Sequence, residues 1–96
     1  MVTIMIIVDK PKIITEIESR VSRSKTRGYS TWTIGITDTP KIRKDQHNNE
    51  GKDIKHWKDW STSNEKDGKE IEKYFLDKGM KGDGGVEGSA NYIYIF

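Results

Sequence analysis

The sequence predicts an α+β domain in which a small mixed or antiparallel sheet is flanked by three helices. Short runs of β-branched and aromatic residues alternate with segments of helical period, and few connections are long enough for crossovers. The chain has 96 residues, of which 32% are hydrophobic, and this supplies one modest core. Two packed domains, a large nucleotide-binding sheet and a barrel are excluded, so residues 1–96 are assigned to one domain.

The first predicted elements are a strand and a helix. Residues 2–8 form a nearly continuous apolar run, typical of a central strand or of one covered on both faces. Asp9 can cap the following helix, which has Pro11 in its first turn. Its apolar residues fall at helical spacing: Ile13, Ile14, Ile17 and Val21. We expect this helix to end in the polar stretch 22–28.

The next elements are a strand, a short helix and a loop. Residues 32–37 have the aromatic and β-branched composition of a strand, which Gly35 interrupts. Thr39 followed by Pro40 is typical of a helix start and predicts a helix to about His47. A polar loop is expected after it.

The second half of the chain predicts a helix with two recognisable ends. Residues 57–62 are assigned to a short strand or an irregular aromatic segment. Thr62 and Glu65 have the spacing of a capping box, which predicts the helix start. Gly79 stands where a left-handed helix end is expected.

The chain closes with a predicted loop and strand. Residues 81–89 include four glycines and predict a mobile loop, which lacks the Gly-Lys-Ser/Thr ending of a phosphate loop. Residues 91–96 alternate aromatic residues with isoleucine and predict a strand that joins 2–8 and 32–37 in one sheet.

Composition narrows the class of partner. No stretch approaches the roughly 20 apolar residues that cross a bilayer, so no membrane partner is expected. The absence of cysteine excludes disulfides, thiol nucleophiles and thiolate metal sites, and fits a cytoplasmic protein. The net charge is +2, and residues 1–47 hold nine basic against five acidic residues. This permits a phosphate-facing patch, although dedicated nucleic-acid binders are more basic.

One group of residues indicates phosphodiester chemistry. Gly35 permits close approach to its strand, and Arg43 and His47 lie four residues apart on one helix face. Arginine can donate two parallel hydrogen bonds to phosphate oxygens. Glu72, on the later helix, supplies a carboxylate for a divalent metal.

These residues resemble the GIY-YIG nucleases. That family's second strand carries Tyr-Ile-Gly or Tyr-Val-Gly, followed by a Thr two residues after the glycine, an Arg eight after and often a His twelve after. Gly35, Thr37, Arg43 and His47 stand at those offsets, and a downstream glutamate matches Glu72. The resemblance covers about residues 29–79, a little over half of the chain.

The resemblance implies a three-stranded sheet flanked by helices and a Mg²⁺-dependent endonuclease acting on nucleic acid, with DNA as the substrate class. It implies that Arg43 stabilises phosphate charge, His47 assists proton transfer and Glu72 holds Mg²⁺. Tyr29 or Thr33 would orient the attacking water. The nucleic-acid contacts would come from Gly35, Thr37 and Lys44.

The sequence departs from the family at its tyrosines. Thr33 stands where the second motif has its first tyrosine, with Trp32 beside it, and no Gly-Ile-Tyr segment precedes it in a tight hairpin. A second hypothesis is therefore a non-catalytic adaptor that binds a protein or nucleic acid through exposed Trp32, Trp57 or Trp60.

Simpler interpretations of the same residues stay open. Arg43 and His47 can form a solvated helix face paired with Asp38 or Asp45. Glu72 can be a surface residue paired with Lys69 or Lys73. The two later tryptophans, Trp57 and Trp60, can belong to the core or its rim.

Overall fold

The computed structural model describes residues 9–24, 28–83 and 91–96, which form an α+β fold as predicted. Within these ranges three α-helices accompany a four-stranded mixed sheet. The helices are α1 (Lys10–Arg23), α2 (Pro40–Asn49) and α3 (Glu65–Asp77), and the strands are β1 (Thr33–Thr37), β2 (Lys58–Ser61), β3 (Lys81–Gly82) and β4 (Tyr92–Ile95). A short 3₁₀ turn, Tyr29–Thr31, precedes β1. The strand predicted over residues 2–8 lies outside the described residues.

The strand order is β2-β4-β1-β3. The last strand, β4, is antiparallel to both of its neighbours, and its Tyr94 lies opposite Gly35 of β1 and Asp59 of β2. The third strand, β3, pairs in parallel with the start of β1. Of the two interpretations of residues 57–62, the short strand is confirmed by β2. The predicted C-terminal strand is β4, which lies inside the sheet.

The start of the predicted loop 81–89 requires a correction, because Lys81 and Gly82 form β3. The Lys81 amide donates to the Trp32 carbonyl at 2.9 Å, and the Asp83 amide donates to the Ile34 carbonyl at 3.0 Å. Carbonyl groups along this edge of β1 need hydrogen-bond donors, and the amides of β3 supply them. This requirement outweighs the weak preference of glycine for strands.

One face of the sheet packs against α1 and α3. Its core residues include Ile13, Ile17, Ile34, Ile36, Ile71, Phe75, Ile93 and Ile95. Trp32 and Trp60 belong to this layer and are only 2% and 4% exposed. The hypothesis of exposed binding tryptophans is therefore wrong for these two, while Trp57 is half-buried on the opposite face. Indole rings bury a large apolar area, and this small core uses that area for its own stability instead of leaving it exposed for a partner.

The ends of α3 confirm one predicted cap and correct the other. The N-cap is Asn64, whose side chain accepts from the Asp67 amide at 2.8 Å. Thr62, the predicted cap, instead donates its hydroxyl to the carbonyls of Asn64 and Asn91, which ties the helix start to β4. At the other end Gly79 has φ +112°, as predicted. The Gly79 and Met80 amides close the last turn, as in a Schellman motif.

Candidate active site

The candidate site lies on the sheet face opposite α1 and α3. Gly35 and Tyr94 share this face because they are opposed in register. Asp83 follows β3 by one residue and continues its pairing beside β1, which brings it to the same face. Arg43 and His47 reach it from α2. Four side chains meet here, Arg43, His47, Asp83 and Tyr94, and they are named the Asp83 cluster.

Gly35 is the position that makes room for Tyr94. A Cβ atom at position 35 would lie 2.4 Å from the Tyr94 hydroxyl oxygen and 2.5 Å from its Cζ. The ring therefore crosses the glycine, and Trp57 stacks on it with ring centroids 4.6 Å apart and planes 9° apart. The close approach predicted at Gly35 is thus made by a tyrosine of the chain itself, and this ring is fully buried.

The hydrogen bonds of the Asp83 cluster converge on one oxygen. Arg43 donates to Asp83 Oδ2 from Nε at 3.1 Å and from Nη2 at 2.9 Å. His47 Nε2 lies 2.8 Å from the same oxygen, and the Tyr94 hydroxyl also donates to it. A further contact of 3.4 Å joins Arg43 Nε to the Tyr94 hydroxyl. The arginine, imidazole and phenol thus form a preorganised donor set around one anionic oxygen.

The protonation states in this cluster follow from these contacts. Burial acts to raise the pKa of Asp83, but the hydrogen bonds from Tyr94, His47 and Arg43 together lower it. The hydrogen bond to Tyr94 and the contact with Asp83 raise the pKa of Arg43. Burial and the Asp83 carboxylate raise the pKa of Tyr94 strongly. At neutral pH the cluster therefore holds an anion, a cation and a neutral phenol that donates.

Both ring nitrogens of His47 have polar neighbours, which fix the orientation of the ring. Because the ionised Asp83 can only accept, Nε2 carries the proton that it donates. Lys52 Nζ, which can only donate, lies 3.2 Å from Nδ1. Glu50 Oε1 lies 3.2 Å from the same nitrogen. The His47 side chain is only 2% exposed, and Arg43 pairs with Asp83. The simpler interpretation, a solvated face on which both residues pair with Asp38 or Asp45, is therefore wrong.

A cleft of about 410 Å³ opens beside this cluster. Its lining includes Asp83, Thr33 and Phe96. Two lysines, Lys52 and Lys81, also border it, together with a second carboxylate, Asp53, so its walls carry both signs of charge. Of the Asp83 cluster, Asp83 itself borders this cleft, and Arg43, His47 and Tyr94 lie behind its carboxylate.

Glu72 lies within electrostatic range of the Asp83 carboxylate. Burial raises the pKa of Glu72, and the Asp83 charge raises it further. Lys69, one of the predicted surface partners, pairs instead with Glu65 at 2.9 Å. Among the described residues, no group of three or more His, Asp or Glu side chains is placed to hold a metal by itself.

The structure does not bring every predicted residue to the cluster. Tyr29 packs against Phe75, with ring centroids 6.1 Å apart, and belongs to the core layer on the other sheet face. The Thr37 hydroxyl accepts from the Thr39 amide and helps to start α2. Lys44 lies half-buried next to Arg43 on this helix.

Sequence reasoning missed Asp83 and Tyr94 as site residues. Asp83 stands in a glycine-rich segment that resembles a connector, and Tyr94 belongs to a strand that resembles ordinary core sequence. A signal for Tyr94 was available: a strand glycine often marks the close approach of another group. Position 35 required a partner, and an aromatic residue on a neighbouring strand can fill the space.

Comparisons of the chain with protein-family models, with curated proteins and with solved structures give no match. In the part of the chain that the structure describes, no helix combines the length and the apolar character needed to span a membrane.

Proposed function

We propose that this protein is a GIY-YIG-like nucleic-acid-binding domain that cleaves phosphodiester bonds with Mg²⁺ at the cleft beside the Asp83 cluster. The observation that carries the proposal is the convergence of Arg43, His47 and the buried Tyr94 hydroxyl on a single anionic oxygen. Such a donor set matches the oxygens of a phosphate. The absence of cysteine supports a cytoplasmic setting.

The topology supports the family resemblance in a rearranged chain order. In the GIY-YIG family a tyrosine-bearing strand precedes the second motif strand in a tight hairpin. Here the antiparallel neighbour of β1 is β4, which comes last in the chain and places Tyr94 across Gly35. The tyrosine-bearing hairpin strand that the sequence lacks directly before β1 thus has a counterpart in β4.

The charge and the contacts of each site residue suggest its role in cleavage. Arg43 remains cationic and stabilises charge on the phosphate. Because the pKa of Tyr94 is strongly raised, its phenol acts as a donor that orients water or a phosphate oxygen, rather than as a base. His47 donates from Nε2 to Asp83 and accepts at Nδ1 from Lys52, so its ring is held in place to assist proton transfer. Thr33 and the lysines of the cleft position the substrate backbone.

Glu72 would hold Mg²⁺, and Asp83, whose charge raises the pKa of Glu72, would be the second carboxylate available to it. A bound Mg²⁺ would supply charge stabilisation to the phosphate and lower the pKa of a bound water. In the protein alone, the Asp83 carboxylate engages the donors that a phosphate would use. Substrate binding therefore requires the phosphate to share or replace these hydrogen bonds.

The alternative function is a non-catalytic adaptor on the same scaffold. One observation favours it: the Asp83 carboxylate already satisfies the arginine, imidazole and phenol donors, so the cluster can serve as an internal structural network. An adaptor would bind nucleic acid or a protein without metal-dependent chemistry.

A cleavage assay separates the two functions. Supercoiled DNA and labelled single strands of DNA and RNA are incubated with the protein in Mg²⁺ or in EDTA. We expect Mg²⁺-dependent cleavage that falls about 100-fold in Arg43→Lys, which keeps the charge but loses the two-pronged geometry, and in Glu72→Gln. Lys12→Gln on α1, purified identically, controls for contaminating nucleases and should retain activity.

The nuclease proposal fails if Mg²⁺ and Mn²⁺ give no cleavage of any substrate, or if the two site variants cleave like Lys12→Gln. Spectra of each variant establish that it is folded. A salt titration of binding then characterises the adaptor, because phosphate contacts weaken steeply with ionic strength whereas apolar protein contacts do not.

A further inference from the structure

A second pocket lies at the end of α1, beside the core layer and apart from the Asp83 cluster. It encloses about 250 Å³ and is lined by Arg20, Arg23, Ser24, Trp32 and His56. The indole and imidazole rings lie 6.0 Å apart between centroids, at 52°. This space is named the Trp32 pocket. It combines two guanidinium groups, an imidazole and a hydroxyl around an aromatic floor.

The positive charge of the Trp32 pocket lacks acidic partners in the described ranges. Among the described residues, no ion pair involves Arg20 or Arg23. Glu16, one helical turn before Arg20, accepts instead from the Trp60 indole at 3.0 Å. The third arginine among the described residues, Arg43, forms an ion pair with Asp83, which Arg20 and Arg23 of α1 do not have.

The Arg20 side chain carries a buried donor that is in need of an acceptor. Its Nε is buried and has no hydrogen-bond partner among the residues that the structure describes. Buried donors in folded proteins nearly always have one. The ordinary explanation for basic residues at a helix end is attraction to its last carbonyls, and Arg23 Nε does donate to the Ser19 carbonyl at 3.4 Å. That explanation accounts for Arg23 but not for Arg20.

We propose that the Trp32 pocket binds a phosphate group, which belongs either to a mononucleotide or to a polynucleotide strand. Guanidinium groups match the oxygens of a phosphate in geometry and charge, and the Ser24 hydroxyl and His56 add further donors. The pocket shares none of its residues with the cleft of the proposed nuclease site. Thr31 and Thr33, the sequence neighbours of Trp32, line that cleft, whereas the Trp32 side chain belongs to the core layer.

The test is an NMR titration in EDTA with three probes: inorganic phosphate, a 5′-mononucleotide and a five-nucleotide single strand. We expect saturable shifts at the Arg20 Nε–H, the Trp32 indole N–H and the His56 ring. Arg23→Gln, at an exposed position that leaves the fold intact, should weaken phosphate binding about tenfold. Lys12→Gln removes the same charge from an exposed site on the same helix and should change affinity less than about twofold.

The two sources of phosphate give different patterns at the same residues. A single strand that binds about tenfold tighter than the mononucleotide identifies a polynucleotide, and equal affinities identify a small ligand. The proposal is overturned if none of the three groups shifts saturably, or if Lys12→Gln weakens binding as much as Arg23→Gln. No metal or cleavage enters this experiment, so its failure leaves the nuclease proposal to its own variants at Arg43 and Glu72.

Discussion

The sharpest prediction concerns Gly35→Ala. The new Cβ would lie 2.4 Å from the hydroxyl oxygen of Tyr94, 2.5 Å from its Cζ and 3.0 Å from its Cε1. Tyr94 is fully buried and stacked on Trp57, so the ring cannot move away without disturbing its neighbours. Overpacking a core in this way costs about 1–3 kcal/mol. Displacement of the hydroxyl from Asp83 adds about 1 kcal/mol, the typical value of a hydrogen bond.

We therefore expect Gly35→Ala to lower the free energy of unfolding by about 2–4 kcal/mol. For a chain of this size that corresponds to a fall in Tm of about 10–25 °C, measured by thermal and denaturant unfolding followed by circular dichroism. The loss is a large part of the roughly 5–15 kcal/mol that stabilises a natural domain. The control is Gly28→Ala, where an added Cβ meets no described atom within 4 Å and the backbone φ is −84°. That variant should stay within about 0.5 kcal/mol of the wild type.

A double-mutant cycle isolates the contact with the ring. In a Tyr94→Leu background the space opposite position 35 opens, and alanine is preferred to glycine within a strand by about 0.5–1 kcal/mol. Gly35→Ala should then be neutral or stabilising, whereas in Tyr94→Phe it should still destabilise because the Cζ contact persists. Equal effects in all backgrounds, or a Gly35→Ala protein as stable as Gly28→Ala, would refute the reasoning.

Three further predictions concern titration and capping. Because the pKa of Asp83 is lowered in the folded protein, its charge adds stability that is present above the unfolded value of about 3.8 and lost as the pH falls below it. Asp83→Asn should lower the free energy of unfolding by about 2–3 kcal/mol at pH 7 and should make stability less dependent on acid, which unfolding at pH 7 and at pH 3 measures. The pKa of Glu72 is raised, so its charge opposes folding as the pH rises through that pKa. Glu72→Gln should therefore have an unchanged or higher Tm at pH 7 but lose Mg²⁺-dependent cleavage, and a lower Tm would contradict this reasoning. Asn64→Ala should cost about 1 kcal/mol through loss of the α3 N-cap, and a similar loss in exposed Ser63→Ala would argue against the cap assignment.

The sequence predicts the helices of this protein better than the edges of its sheet. Helical period and end signals are local, so α1, α2 and the left-handed end of α3 at Gly79 could all be located. The two-residue strand β3 could not, because it forms where a glycine-containing segment meets the open edge of β1. Similarly, Thr62 and Asn64 both have side chains that cap helices, and the tertiary bond from Thr62 to the Asn91 carbonyl decides between them.

The candidate site was half predictable for a related reason. Arg43 and His47 share a helix face, and their spacing along the chain indicates this directly. Their partner Asp83 lies 40 residues after Arg43, and its position depends on the pairing of β3 with β1. A long-range pairing of this kind leaves no periodic trace in the sequence, so the composition alone led to the expectation of surface partners such as Asp38.

The position of Asp83 links the stability of the fold to the chemistry of the site. Its carboxylate joins α2, β4 and the end of β3, since it binds Arg43, His47 and Tyr94 at one oxygen. Any phosphate that uses these donors must offset the hydrogen bonds that it displaces, and the two cleft lysines and the guanidinium charge are what would do so. Tyr94→Phe removes only one donor and leaves the stacked ring in place, so a nuclease should lose rate in this variant while Mg²⁺ and substrate binding persist. In an adaptor the same substitution changes stability alone, because a purely structural hydrogen bond has no reaction step to affect.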